Sequence, residues 1–266
     1  MSTTRITNTN GVTFITKSTD FYISKSLELY GEWSHIEVEL LAQVLKKTDN
    51  VIEAGSNIGA HTVFLAKDVV PEGKVFAFEP RRILFQTLCG NLAVNGIENV
   101  YAFECGLGEE AENQAEAKID FSSQVNAGGY DLGSIPGSEE NIKIEKLDDM
   151  VTAADRISLI KADVEGYELK MLIGAANLIK RDRPFLYLEN DKVENSPSLI
   201  SYLWSIEYDI WWHIVPLFNP KNRANTTYNI FPNISSINII CSPRERNFNI
   251  TGALKIEDSS LHPLKS

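Results

Sequence analysis

Four places in the chain combine residue types that do chemistry with a spacing that brings them together. The first is Glu53-Ala-Gly55-Ser56-Asn57-Ile-Gly59, where a short apolar strand runs into a glycine turn and then a helix. Glycine lets backbone approach a ligand closely, and the acid that opens the turn suits a ligand carrying a cation. The spacing is neither the G-x-G-x-x-G of dinucleotide enzymes nor the G-x-x-x-x-G-K-[ST] of a phosphate loop, and no lysine follows to reach phosphates. The second place is Glu79, 26 residues further on at the end of the next strand. A carboxylate there can accept both hydroxyl protons of a ribose. The third is Lys161-Ala-Asp163-Val-Glu165-Gly166. Its two carboxylates can divide the work, one holding a cation or ammonium and the other acting as general base, or they can share a divalent metal. The fourth is Glu189-Asn190, which follows another strand. Each also has a purely structural alternative: a turn that only reverses the chain, a solvated strand-end acid, a helix cap with an acid in the first turn, and a strand terminus.

The elements that position these residues alternate in type. Strands are expected at Val51–Ala54, Lys74–Phe78, Val100–Phe103, Ile157–Ala162 and Phe185–Leu188, with helices over Ile58–Val70, Ile83–Val94 and Tyr167–Lys180. Ser196-Pro197 reads as the start of a helix to about Ile206. Tyr208–Val215 and Ile237–Cys241 read as a closing strand pair. Ser34-His-Ile-Glu37 has the form of a capping box, ahead of an apolar stripe at helical spacing. This order implies an α/β fold: a Rossmann-like three-layer α/β/α sandwich whose sheet is mostly parallel, with an antiparallel closing strand. Ligands of such sheets bind beyond the carboxyl ends of the strands, where all four places lie. One domain is expected over 1–266, with an N-terminal cap and helix over 1–48, a catalytic core over 49–245 and a tail over 246–266. The segment 121–140 is rich in Gly and Ser and breaks the alternation; it reads as a substrate loop or a solvated insertion.

Composition narrows the function classes. The chain has 266 residues, 43% of them hydrophobic, enough for a substantial core. The formal charge of −11 opposes a nucleic-acid partner, because phosphate binding needs a basic face. A small molecule, sugar or lipid-like acceptor fits that charge better. No run approaches the roughly 18 apolar residues of a membrane span. The polar N-terminus lacks a signal-peptide core, and Cys89, Cys105 and Cys241 are widely spaced, so a cytoplasmic protein with reduced thiols is expected.

Together the motifs resemble class I S-adenosylmethionine-dependent methyltransferases, and more narrowly the FkbM family. They stand as EAGSNIG (53–59), AFEP (77–80), NLAVNG (91–96), IKADVEGYE (160–168) and RPFLYLE (183–189). LYGEWSHIEVELL (29–41) fits the helix before the first motif, and the resemblance covers roughly residues 20–245. Two positions depart from the pattern: Glu53 stands where Asp is usual, and Ser56 where Ala is common. The resemblance implies S-adenosyl-L-methionine as cofactor. Glu53, Gly55, Ser56, Asn57 and Gly59 would cradle its methionine part, with His61 and Thr62 helping at the helix start. Glu79, followed by Pro80, would bind the ribose, and Gly106, within Cys105–Leu107, would lie near adenine. Asp163 would face the methionine ammonium or the sulfonium. Glu165 is the first candidate base, Glu189 the second and His213 the third. Asp163, Glu165, Glu189 and Asn190 are the candidate ligands should a metal bind. The implied reaction is O-methylation of a hydroxyl on a sugar, polyketide or similar metabolite. The rival readings are a nicotinamide-dependent oxidoreductase, a non-catalytic S-adenosylmethionine-binding module, and a nucleic-acid methyltransferase. The missing dinucleotide fingerprint and the negative charge weigh against the first and last.

Overall fold

Strands apolar on both faces must be covered on both sides, and here helices do the covering. The computed structural model describes residues 3–117, 119, 121, 126, 139–250 and 252–265. An antiparallel hairpin, β1 (Thr4–Thr9) and β2 (Val12–Lys17), opens the chain and is followed by α1 (Ile23–Tyr30) and α2 (His35–Val44). Then come β3 (Asn50–Ala54), the short α3 (Thr62–Phe64) continued by a π-helical turn over Leu65–Val69, β4 (Val75–Phe78), α4 (Arg82–Val94) and β5 (Val100–Phe103). A side sheet of β6 (Gly106–Leu107), β7 (Glu112–Ala117) and β8 (Glu139–Glu145) leads through α5 (Leu147–Met150) to β9 (Ile157–Ala162). The chain finishes with α6 (Glu168–Ile173), α7 (Ala176–Asp182), β10 (Phe185–Glu189), α8 (Ser196–Ser205), β11 (Tyr208–Pro216) and β12 (Ser235–Pro243).

The main sheet runs in the order β11-β12-β10-β9-β3-β4-β5. Its pairs from β10 to β5 are parallel, and β12 inserts antiparallel between β10 and β11. Neighbouring strand residues feed opposite cores. Ile52, Phe76, Ile160 and Leu186 pack against α6, α7 and α8, whereas Val51, Val75, Leu159 and Phe185 pack against α1, α2, α3 and α4. Three layers result, as the alternation implied. From β3 the chain builds outward to β4 and β5, then returns to place β9 on the other side of β3. That reversal is the switch point at which sheets of this kind open a crevice.

Local structure departs from the sequence reading where tertiary contacts compete. Ser34 takes a left-handed conformation (φ 42°) and its hydroxyl donates to the Glu37 carboxylate at 2.7 Å, so the expected capping box does not form. The helix expected from Ile58 starts only at Thr62, because Asn57 and Gly59 have φ of 52° and 86°. The helix expected over Tyr167–Lys180 breaks at Gly174, where a Cβ would stand 1.9 Å from the Gly108 carbonyl oxygen. Asp148 then caps the second piece, its carboxylate accepting the N–H groups of Asn177 and Leu178. Of the segment 121–140, all but Phe121, Asn126, Glu139 and Glu140 lie outside the described residues. Glu139 and Glu140 open β8, within a side sheet that the sequence reading missed. Among the described residues no helix is long and apolar enough to cross a membrane.

The NLAVNG motif has a structural task. Asn91 is fully buried; its amide donates to the carbonyls of Ile58 and Ile15, and its side-chain oxygen accepts the Ile15 N–H. Asn95 repeats the exchange with Thr13. The two asparagines thereby fasten the N-terminal hairpin to α4 and to the turn after β3. Asn91→Leu removes these bonds and orphans buried backbone groups. It should lower stability by about 2–4 kcal/mol, read as a drop in the urea midpoint with an unchanged slope.

Candidate active site

The cleft lies where β3 and β9 part. Gly55 turns with φ 80°, and a Cβ on it would meet the Asp163 carbonyl oxygen at 1.8 Å. Only glycine lets the two strand ends stand this close, and the Asp163 N–H donates to the Ala54 carbonyl at 3.0 Å. The Gly55 and Ser56 N–H groups both donate to the Phe78 carbonyl, which aligns the turn with the end of β4. Above these strand ends opens a cleft of about 840 Å³.

Of the sequence-derived candidates, Glu53, Gly55, Ser56, Asn57, His61, Glu79, Pro80, Gly106, Asp163 and Glu165 line this cleft. Gly59 and Thr62 do not; they lie beneath it. A Cβ on Gly59 would stand 2.7 Å from Leu88, and the buried Thr62 hydroxyl donates to the Glu53 carboxylate. Thr62 therefore reaches the cleft only through Glu53. Burial pushes Glu53 above the usual carboxylate range, opposed by Lys161 and the Thr62 hydroxyl. Glu79 is held rigidly: one oxygen accepts the Asn57 N–H and the other the Arg81 N–H, each at 2.8 Å. Burial nevertheless raises it to about 7. His61 meets the Trp33 carbonyl at 2.9 Å through Nε2. That carbonyl only accepts, so Nε2 carries the hydrogen, and burial drives His61 well below its usual value, keeping it neutral.

At the mouth of β9, oxygens of Asp163, Glu165 and Glu189 lie within 4.8 Å of one another. Glu165 has a left-handed backbone (φ 53°) and pairs with Lys192 Nζ at 3.0 Å. Burial, reinforced by the Asp163 charge, pushes it to about 8. Burial also raises Asp163 and lifts Glu189 well above the usual range. Glu189 Oε2 is buried without a hydrogen-bond partner among the described residues. The Asn190 amide donates to Ser196 Oγ. Glu189 and Asn190 line a second, polar pocket of about 570 Å³ with Asp191, Lys192, Asn195 and Ser198. The three carboxylates thus stand between two cavities.

His213 lies outside the cleft. It is on the edge strand β11, two strands beyond β10, where its Nδ1 meets the Tyr187 hydroxyl at 2.8 Å. It faces a groove formed with Leu40, Trp212 and residues 252–263, which removes it as a base. Trp211, Trp212 and Tyr208, on the same strand, are buried in the core. Segment 216–236 folds onto the cap: Asn219 and the Arg223 N–H both serve Glu32, and Phe231 packs on Trp33. The sequence reading gave no role to several cleft residues, among them Lys161, Trp33, Arg81 and Ile23. Lys161 had a readable signal, a lone cation inside the apolar strand ISLIKA.

The sequence profile of the Methyltransferase FkbM domain matches residues 53–210, more than half of the chain. The chain belongs to the FkbM methyltransferase family. It is 26% identical over 184 residues to Methyltransferase 1 of Beauveria bassiana, covering 60% of this chain and 73% of that one. It is 30% identical over 146 residues to the hexuronic acid methyltransferase AglP of Haloferax volcanii, covering 54% of this chain and 56% of that one. Among solved structures, the precorrin-6y C5,15-methyltransferase of Geobacter metallireducens superposes with a TM-score of 0.50 over 78% of this chain and 87% of that one, at 14% identity. That likeness shows the shared Rossmann-like fold. The FkbM match begins at Glu53 and contains the whole cleft floor, while Ile23 and Trp33, which close the cleft from the cap, precede it.

The raised carboxyls couple stability to pH. Glu79 and Glu168 hold protons to about pH 7 when folded, whereas the unfolded chain releases them near 4.5. Between those values the folded state binds more protons, so their contribution is full below 4.5 and is lost as pH rises through 7. The melting temperature of the ligand-free protein should fall from about pH 5 to about pH 8. In Glu79→Gln, which has no proton to lose, that fall should be shallower by calorimetry.

Proposed function

We propose that this chain transfers a methyl group from S-adenosylmethionine to a hydroxyl oxygen of a small polyhydroxylated acceptor. The observation that carries the reading is the placement of Glu53, Glu79, Asp163 and Glu165 around one crevice at the switch point of the sheet, with Glu189 grouped behind the last two. That donor set fits the cofactor: acids beside the glycine turn for an ammonium and a sulfonium, and the doubly anchored Glu79 for a ribose diol. When bound, S-adenosylmethionine supplies an electrophilic methyl; its carbon–sulfur bond breaks, sulfur keeps the electron pair, and a carbon–oxygen bond forms to the acceptor.

The residues of this chain then have two tasks. Glu79, Asn57 and the Gly106–Leu107 backbone hold the nucleoside end in place, and positioning of this kind supplies several kcal/mol. Glu165 takes the hydroxyl proton, and the Lys192 ammonium 3.0 Å away stabilises the carboxylate before it does so. Glu189 is the second choice for this role. Lys192 already pairs with Glu165 at the trio, and no step is assigned to a metal. The second pocket, lined by Asn190, Asp191, Lys192, Asn195 and Ser198, favours a polyol such as a sugar over an apolar polyketide. The hexuronic acid methyltransferase among the relatives supports the same class.

S-Adenosylhomocysteine at about 100 times its dissociation constant should stabilise the protein by roughly 2.7 kcal/mol, with no effect of NAD. A response to NAD alone would favour the oxidoreductase reading. On a panel of hexoses and hexuronic acids, Glu165→Gln should keep cofactor binding and lose about 10²–10⁴ in turnover. The wild-type rate should climb with pH to a plateau above about 8, since the base must first lose its proton.

A further inference from the structure

Lys161 brings a buried cation to the cleft. Its side chain is only 3% exposed, yet it lines the cleft. Among the described residues its ammonium makes no hydrogen bond, and its ion-pair partner, Asp163 Oδ2, is 4.0 Å away. An ammonium has three hydrogens to donate, so Lys161 has the capacity to bind an acceptor atom in the cleft. The placement is imposed by the sheet. Lys161 sits in register with Glu53 on β3 and Tyr187 on β10. A face otherwise given to core packing therefore carries a row of polar groups directly under the glycine turn. Glu37 supplies a further buried carboxylate on that side, fixed by Ser34 Oγ and Asn238 Nδ2.

We propose that Lys161 binds the carboxylate of the cofactor's amino-acid end, so that Lys161 and the flanking acids Glu53 and Asp163 together form a site for a zwitterionic α-amino acid group. The inference rests on the cofactor reading above and deepens it. An α-amino acid group needs both signs of charge within a few ångströms. Acids alone would hold the ammonium and repel the carboxylate. A buried ammonium beside two acids and lining the cleft provides the missing half. A carboxylate-bearing acceptor such as a hexuronic acid offers the same chemistry from another source. The position of Lys161 beside Glu53 and the glycine turn, away from the second polar pocket, assigns it to the cofactor.

The test compares S-adenosylhomocysteine with 5′-methylthioadenosine, which keeps the nucleoside and thioether and lacks the amino-acid group. By titration calorimetry without acceptor, Lys161→Met should weaken S-adenosylhomocysteine by about 10- to 100-fold, the range for hydrogen bonds to charged groups. Binding of 5′-methylthioadenosine should stay within about twofold, and Lys161→Arg should restore much of the loss. Equal weakening of both ligands, or no weakening of S-adenosylhomocysteine, overturns the inference; so does an effect confined to the KM of an acidic acceptor. The wild type gives an independent reading should Lys161→Met not fold. Decarboxylated S-adenosylmethionine should bind at least about 10-fold more weakly than S-adenosylmethionine, and equal affinity overturns the proposal. If the wild type binds 5′-methylthioadenosine but discriminates in neither experiment, only the role of Lys161 fails. If it binds no adenosyl compound, the cofactor reading fails and this inference with it.

Discussion

The close approach of Gly55 to the Asp163 carbonyl is the contact on which the rest of the site depends. A side chain at 55 would force the ends of β3 and β9 apart. The two strands come from distant parts of the chain and meet only because the sheet reverses its building direction at β3. Once they meet, Glu53 and Lys161 fall into register, Asp163 projects over the turn, and the Gly55 and Ser56 N–H groups are free to seek the Phe78 carbonyl. That last pair of bonds brings Glu79 beside Asn57. One steric allowance thus fixes the relative positions of acids that are far apart in sequence.

The same arrangement concentrates negative charge, and the structure manages the excess in three ways. Two lysines are placed within the group, Lys161 from inside a strand and Lys192 from the loop after β10. Backbone N–H groups are directed at Glu79 and at Glu168, which accepts those of Val164 and Gly166. The remaining cost is met by proton uptake, with Glu79, Glu165 and Glu168 all raised by burial. A cleft in this state is prepared for a ligand bearing positive charge and hydroxyl protons, because such a ligand relieves the repulsion that the fold imposes.

The N-terminal cap completes the cleft and is itself held at two points. Asn91 and Asn95 fasten its hairpin to α4. Glu32 accepts from Asn219 and Arg223 of the segment between β11 and β12, while Tyr30 and Trp33 pack against Phe218 and Phe231. The segment between β11 and β12 is therefore a brace that holds Trp33 at the cleft.

Local pattern alone determined the strands of the main sheet, because runs such as VIEA, VFAF and FLYLE are short, apolar and bounded by turn residues, and their order with the helices determined the layered fold. It also picked out the acids and glycines lining the cleft, since such residues at strand ends must gather on one edge of a parallel sheet. The Asn10-Gly11 turn of the opening hairpin, with φ of 52° and 79°, was equally readable and was overlooked. What only the tertiary structure decided depends on neighbours remote in sequence. The helix starting at Thr62 is shortened by the turn beneath the cleft, and the break at Gly174 is forced by Gly108. The capping box is lost to a hydroxyl–carboxylate bond, and His213 is carried to the far edge of the sheet. Lys161, which reads as an anomaly in an apolar strand, acquires meaning only when pairing sets Glu53 beside it. Propensity and periodicity describe a residue's own segment, whereas charge balance and close approach are properties of segments brought together.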